Sequence, residues 1–233
     1  MPRYEVAHVV NVVDGDTFQI EDGRYVRILG INAPEHDEKY FEAAKDALEA
    51  YISDKDVYLE RSGQDKDKYG RLLRSVILEN GTNVGVELVR SGLAVIYITS
   101  KSYKYANALE AAQRECVENG VNLCKKSEER CGNCIRIKSL VRIGEEYIEI
   151  ENKCNFTCDV DGWYIRDSAD NKYFLNSCTK TITSSIKIFS GHGEQNSTHC
   201  YWNSKYPIWN DEYDVAYLKD ASGDLVDYFI SKS

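Results

Sequence analysis

Helical periodicity is confined to the first half of this 233-residue chain, and the second half holds only short strand-like runs. That switch limits the chain to a β fold carrying a few helices, followed by an all-β region. Residues 4–30 alternate apolar and polar in β-branched runs: Val9-Val10, Val12-Val13, Phe18-Gln19-Ile20 and Tyr25 to Leu29. Asp22-Gly23 between two runs predicts a tight hairpin. Within 38–54 the period lengthens, and Phe41, Ala44, Leu48, Tyr51 and Ile52 predict a helix. Residues 56–61 and 71–78 read as strands. Val84 to Arg90 reads as a helix stopped by Ser91-Gly92, and Ala106 to Val117 as another closed by Asn119-Gly120. Three strands, a helix, two strands and two helices fit a five-stranded OB-type barrel with about three helices, spanning 1–125. Residues 126–134 (KSEERCGNC) read as a linker. Over 135–233, about seven short runs lie between turns rich in Asn, Asp, Ser and Gly. They predict an immunoglobulin-like β-sandwich. The expected fold class is thus mainly β with some α.

Cysteine usage supports the same division. All eight cysteines lie between Cys116 and Cys200. The charge is spread evenly and is acidic: 18 Lys and Arg against 23 Asp and Glu in residues 1–130, and 11 against 15 in the remainder, for a net −9. Non-specific nucleic-acid affinity grows with the number of phosphates neutralised, so the acidic balance counts against a high-affinity polyanion-coating protein and less against an enzyme. Any nucleic-acid contact must come from a local cationic cluster or a bound metal. No run is apolar enough for a membrane span. The N-terminus lacks a signal peptide's apolar core.

Four short pieces carry the chemistry: Asp14-Gly15-Asp16-Thr17, Arg27 in a strand, Asn32-Ala33-Pro34-Glu35 before the first helix, and Asp67-Lys68-Tyr69-Gly70-Arg71 before a strand. Each alone has a bland reading. DG is usually a turn, a strand arginine a surface residue, and Pro-Glu a helix start. Together they supply what phosphodiester hydrolysis requires. Asp16, Asn32 and the carbonyl oxygen near Ala33 are hard oxygen donors suited to Ca²⁺ or Mg²⁺. Arg27 and Arg71 are planar forks that grip phosphate. Glu35 is a carboxylate suited to deprotonating water. Fixed positive charge aimed at a more highly charged transition state lowers the barrier.

VVDGDTFQI, YVRILGINAPE and DKYGRLLRSVILENGTNVGVELVRSGLAVIY resemble the staphylococcal (thermonuclease-type) nuclease family, in order and at family spacing, over roughly residues 4–123. The resemblance implies an OB barrel and a Ca²⁺-dependent endonuclease acting on DNA and RNA, with single-stranded nucleic acid as substrate. It assigns metal binding to Asp16, to Asn32 and, through its backbone carbonyl, to Ala33. It assigns catalysis to Arg27, Glu35 and Arg71, and substrate binding to Lys68, Tyr69 and, with a one-residue offset, Tyr97. Asn32 departs from the pattern, standing where the family carries a second metal-binding aspartate. The site loses one negative charge, which predicts weaker Ca²⁺ binding. The contrasting reading is a catalytically inactive barrel that only binds nucleic acid or tethers a partner.

Within 135–233, EEYIEIENKCNFTCDVDGWYIRD and YWNSKYPIWNDEYDVAYLKDASGDLVD resemble the lamin-tail domain family. That resemblance implies an immunoglobulin-like module with Trp163 and Trp209 near its core, serving to bind or tether an unknown surface or protein partner. Asp211, Glu212 and Asp214 read as a solvated acidic turn in preference to a Ca²⁺ loop. His36, His192 and His199 lack partners at motif spacing and read as surface residues. For the cysteines three readings stay open. Cys131, Cys134, Cys154 and Cys158 have a spacing compatible with Zn²⁺. The even count of eight favours disulfides, and a reducing compartment would leave free thiols. The cysteine count and the nuclease resemblance favour an extracellular or cell-surface setting.

Overall fold

The computed structural model describes residues 4–232. The chain divides into two compact units. The first comprises residues up to Ile98 together with Ser102–Cys124, and the second Thr99–Lys101 together with the residues from Lys125 onward.

In the first unit the elements run β1 (Tyr4–Val12), β2 (Thr17–Ile20), β3 (Tyr25–Ile28), β4 (Gly30–Asn32), α1 (Phe41–Ile52), β5 (Asp56–Lys66), β6 (Leu72–Ile77), α2 (Val84–Arg90), β7 (Val95–Tyr97) and α3 (Ala106–Asn119). β1, β2, β3, β6 and β5 close into a barrel in that order. β3 pairs with β6 in parallel, and the other barrel pairs are antiparallel. This is the closed OB-type barrel with three helices that the periodicity predicts. Asp22-Gly23 makes the β2–β3 turn, where Gly23 adopts φ 87° and Asp22 Oδ1 accepts from the Arg24 amide at 3.0 Å. The inward faces bury Val9, Phe18, Ile20, Val26, Ile28, Leu59 and Val76. Asn83 caps α2, its side chain accepting from Val86 N, and Gly120 ends α3 at φ 61°.

Two points of the barrel admit only glycine. A Cβ on Gly15 would lie 2.6 Å from Ala44 Cβ on α1 and 2.8 Å from Ala33 Cβ, so the turn after β1 is pressed against both. Gly30, at φ 86°, runs beneath the Tyr103 ring, and a Cβ there would lie 2.6 Å from it. Tyr103 Oη donates to Leu29 O at 3.1 Å and pairs with Ser75 Oγ at 2.8 Å.

The second unit is β-rich and carries several sheets. Its strands are β8 (Ile135–Val141), β9 (Tyr147–Asn152), β10 (Cys158–Asp159), β11 (Tyr164–Arg166), β12 (Lys172–Phe174), β13 (Thr181–Ile182), β14 (Ser185–Phe189), β15 (His199–Tyr201), β16 (Tyr213–Lys219) and β17 (Leu225–Lys232). One four-stranded sheet has the order β12-β11-β16-β17, a second β15-β14-β9-β8, and β10 pairs with β13. Ile137, Ile148, Ile150, Ile186 and Ile188 from one sheet and Ile165, Tyr173, Ala216 and Leu218 from the other share a single core with Trp163 and Trp209. Alternating burial marks β14 and the start of β8, while β16 is buried throughout. The two- and three-residue strands β10, β13 and β15 carry too little alternation to be seen in sequence. β15 also pairs with β14 in parallel, which no hairpin signal announces.

Residues 126–134 pack into this unit. Ser127 N donates to Leu225 O at 2.8 Å, Glu129 Oε2 accepts from Trp163 Nε1 at 2.7 Å, and Cys131 is buried. The eight cysteines form four disulfides: Cys116–Cys124, Cys131–Cys158, Cys134–Cys154 and Cys178–Cys200. Asp214 is fully buried and accepts from Ser168 Oγ at 2.5 Å and Asn210 N at 2.9 Å, while Asp211 and Glu212 are exposed.

Candidate active site

The turn between β1 and β2 presents Asp14 and Asp16, two residues apart. Asp14 Oδ1 accepts from the Asp16 amide at 3.0 Å, which tightens the turn. Asp16 is only 6% exposed. Both of its carboxylate oxygens accept hydrogen bonds. Oδ1 accepts from Thr17 Oγ1 at 2.9 Å, Oδ2 accepts from the Ala33 amide at 3.1 Å, and Arg27 Nη2 lies 3.1 Å from Oδ2. Burial, and after it the negative charge of Asp16, raise the Asp14 carboxyl above its ordinary value.

Arg27 sits mid-strand on β3, and strand geometry fixes where its fork falls. Nη1 donates to the carbonyls of Ile31 (3.0 Å) and Ile28 (3.2 Å), and Nη2 donates to Asn32 Oδ1 at 2.7 Å. A guanidinium with this many acceptors is oriented as well as charged. Tyr97 on β7 lies beside it, with the Arg27 Cζ 5.6 Å from the ring centroid.

Arg71 comes from the turn between β5 and β6. Its Nε donates to Asp67 Oδ2 at 2.7 Å, and its Nη1 donates to Thr17 Oγ1 at 3.1 Å. Asp67 Oδ1 also accepts from the amides of Tyr69 (2.9 Å) and Arg71 (3.0 Å), so one carboxylate builds the turn and aims the side chain. Burial works in the opposite direction, but these hydrogen bonds hold the Asp67 carboxyl below the usual carboxylate range. Tyr69 is exposed, with the Arg71 guanidinium 5.5 Å and Lys68 Nζ 5.0 Å from its ring centroid.

The structure therefore brings Asp16, Arg27, Asn32 and the Ala33 backbone into direct contact. Arg71 joins them through Thr17, and Tyr97 joins through Arg27. Lys68 and Tyr69 gather at Arg71. Glu35 is exposed two residues beyond Ala33, where its amide donates to Glu38 Oε2 at 3.1 Å. Three contributors escape the sequence reading as site residues: Asp14, Thr17 and Asp67. The D-x-D spacing was the available signal for Asp14, because an aspartate side chain accepts from the amide two residues on and closes such a turn. Thr17 acts through a contact to Arg71, 54 residues away, that no local pattern encodes, whereas Asp67 acts within the same short turn as Arg71.

The donor set fits a hard divalent cation. A buried carboxylate beside a second carboxyl of raised pKa is a pair of like charges that a cation relieves, and carboxyl, amide and carbonyl oxygens are the ligands Ca²⁺ takes.

Fold and site together define a class: a closed OB-type barrel whose first turn and third strand hold a buried carboxylate against one oriented guanidinium, with a second linked to it through Thr17. Comparison with known proteins narrows it. The model of the family described as staphylococcal nuclease homologue matches residues 25–126. Thermonuclease of Staphylococcus intermedius is 32% identical over 133 residues, covering 53% of this chain and 79% of the relative. Thermonuclease of Staphylococcus hyicus is 32% identical over 116 residues, covering 46% and 68%. An uncharacterized endonuclease of Escherichia coli O157:H7 is 36% identical over 95 residues, or 38% of this chain, and the match spans 59% of that relative's length. The chain belongs to the staphylococcal nuclease family, through a domain at residues 25–126.

Proposed function

We propose that the chain is a Ca²⁺-dependent endonuclease that hydrolyses phosphodiester bonds of single-stranded DNA and of RNA. The observation that carries this reading is the charge cluster of Asp16, Arg27 and Arg71, linked through Thr17. Asp16, Asp14, Asn32 and the Ala33 carbonyl are the groups that hold the metal. When bound, Ca²⁺ supplies fixed positive charge beside the scissile phosphate. Arg27 and Arg71 donate to the non-bridging phosphate oxygens, whose charge grows toward the transition state. Glu35 takes a proton from the attacking water; its exposure leaves room for that water and for substrate. Lys68 contacts phosphate. Tyr69 and Tyr97 offer faces to bases, each already next to an arginine.

The second unit is proposed to be a lamin-tail-like module that binds or tethers a partner, supported by its two sheets around Trp163 and Trp209. Four disulfides suit an oxidising, extracellular or cell-surface setting.

Cleavage of single-stranded DNA and RNA by the purified chain tests the catalytic reading, with Glu35→Gln for comparison. Loss of roughly 10²-fold or more in kcat with intact folding is expected for a general base. Equal rates would remove Glu35 from that role. Absence of cleavage by well-folded wild-type protein would leave the barrel as a binding module.

A further inference from the structure

Two adjoining disulfides of the second unit bring four cysteines onto neighbouring segments, and three of the sulfurs form one close group. Cys131 and Cys134 lie on the turn before β8, Cys154 on the loop between β9 and β10, and Cys158 at the start of β10. The two disulfides pair across these loops, Cys131 with Cys158 and Cys134 with Cys154. The pairs also adjoin one another. Cys154 Sγ lies 3.4 Å from Cys158 Sγ, its neighbour in the other disulfide. The sulfurs of Cys131, Cys154 and Cys158 all fall within 4.8 Å of one another. The remaining four cysteines make two separate pairs, Cys116–Cys124 and Cys178–Cys200.

A tetrahedral thiolate site with Zn–S bonds of about 2.3 Å has sulfur–sulfur edges of about 3.8 Å. The 3.4 Å between Cys154 and Cys158 approaches that edge while the two bonded pairs are shorter, as disulfides must be, and the backbone around them is held by contacts other than the sulfurs. The Cys134 and Ile135 amides both donate to Cys131 O at 3.1 Å, closing a turn. Gly132 in that turn packs on Ser127, leaving no room for a Cβ. Lys153 N donates to Cys134 O at 2.8 Å and ties the two loops together. Asn152 fixes the second loop, accepting from Cys154 N at 2.7 Å and donating to Phe156 O at 2.8 Å. An entry path exists as well. A cavity of about 280 Å³ reaches Cys131 and is lined by Glu129, Arg130, Phe156, Asp159 and Asp161. Its three carboxylates favour an approaching cation.

We propose that Cys131, Cys134, Cys154 and Cys158 form one tetrathiolate Zn²⁺ site in the reduced protein, and that the two disulfides are its oxidised form. In the forward direction each disulfide accepts two electrons and two protons from a dithiol, which leaves as its own disulfide. Four thiols result. Zn²⁺ then displaces four protons, and the four thiolates share the metal at net charge −2. Oxidation returns two disulfides, releasing Zn²⁺ and four electrons to the oxidant, a disulfide of the same class. The second unit thereby keeps its two loops crosslinked in either redox condition, by covalent bonds in one and by metal in the other.

The test uses the full chain, reduced anaerobically with excess dithiothreitol, freed of reductant and titrated with Co²⁺ alone as the probe. One Co²⁺ per chain is expected, with thiolate charge-transfer and tetrahedral absorption bands that one equivalent of Zn²⁺ abolishes. The near-ultraviolet circular dichroism of buried Trp163 is expected to be restored by the metal if reduction weakens it. Cys178→Ser with Cys200→Ser is expected to keep the Co²⁺ bands, and Cys154→Ser with Cys158→Ser to lose them. A reduced chain that takes up no Co²⁺, that stays unfolded with the metal bound, or that keeps the thiolate bands in the Cys154/Cys158 variant overturns the assignment. None of these readouts depends on nuclease activity.

Discussion

Asn32 is the residue on which the proposed metal chemistry of the barrel turns. Its side-chain oxygen accepts from Arg27 at 2.7 Å and brings no formal charge to the cation. Asn32→Asp adds a carboxylate to the donor set and is expected to tighten Ca²⁺ binding about tenfold, because affinity follows ligand charge. Calorimetric titration of both proteins checks this, and unchanged affinity would show that position 32 is not a ligand. The two arginines differ in what their removal does. Arg27 and Asp16 are both largely buried, so Arg27→Ala leaves an unpaired charge inside the protein. Arg71 is more open and its partner Asp67 keeps two backbone donors, so Arg71→Ala separates chemistry from folding. A different residue sets a pH dependence in the second unit. Burial, and then the charge of Asp214, push the Asp167 carboxyl up to about 6. A carboxyl raised in the folded state stabilises fully below its unfolded value near 3.8, and that stability is lost as pH rises through about 6. Asp167→Asn removes the titration, so relative to wild type it is expected to gain on the order of 2 kcal/mol between pH 4 and pH 7. Denaturant unfolding at both pH values measures the gap, and a gap that does not change with pH contradicts the assignment. Asp16, Arg27 and Arg71 stood out in the sequence because three motifs carry them in order. Thr17 and Asp67 did not, because their role is set by contacts to Arg71, 54 and 4 residues away.

Among elements, the turn from β1 to β2 has the least freedom. Gly15 lets it lie against α1 and the Ala33 backbone, and that contact sets the Asp14 and Asp16 carboxyls beside β4. Gly15→Ala forces the turn off α1. It is expected to destabilise the barrel by about 1–3 kcal/mol and to weaken Ca²⁺ binding with it. Urea unfolding with and without Ca²⁺ reads both effects. At the other end of the unit, Cys116–Cys124 ties α3 to the segment after it across a separation of 8 residues. Replacing both cysteines by serine is expected to cost about 2–3 kcal/mol through loop entropy. Most barrel elements were legible because their apolar period is long and their stops, Asp22-Gly23, Gly92 and Gly120, are local signals. The second unit was legible only in its longer strands. Residues 126–134 read as a linker because their anchors lie far off in sequence, at Cys154, Cys158, Trp163 and Leu225.

At the scale of the whole molecule, an acidic chain of net charge −9 spreads its 29 Lys and Arg over both units, and only Arg27 and Arg71 meet at the first turn of the barrel. A catalyst needs only transient grip on its substrate, so this distribution suits turnover better than storage of nucleic acid. The second unit, with three disulfides and its own core, is a separately built body whose proposed task is to hold a partner. The central claim is that the Asp16, Arg27 and Arg71 cluster hydrolyses phosphodiesters with Ca²⁺. Digestion of single-stranded DNA by the purified chain tests it most directly, run with Ca²⁺, with Mg²⁺ and with EGTA, beside Arg71→Ala. Cleavage that requires Ca²⁺, disappears with EGTA and falls at least 10³-fold in the folded Arg71→Ala protein is the expected result. Failure of the well-folded wild type to cut at millimolar Ca²⁺, or equal cutting by the variant, would contradict it.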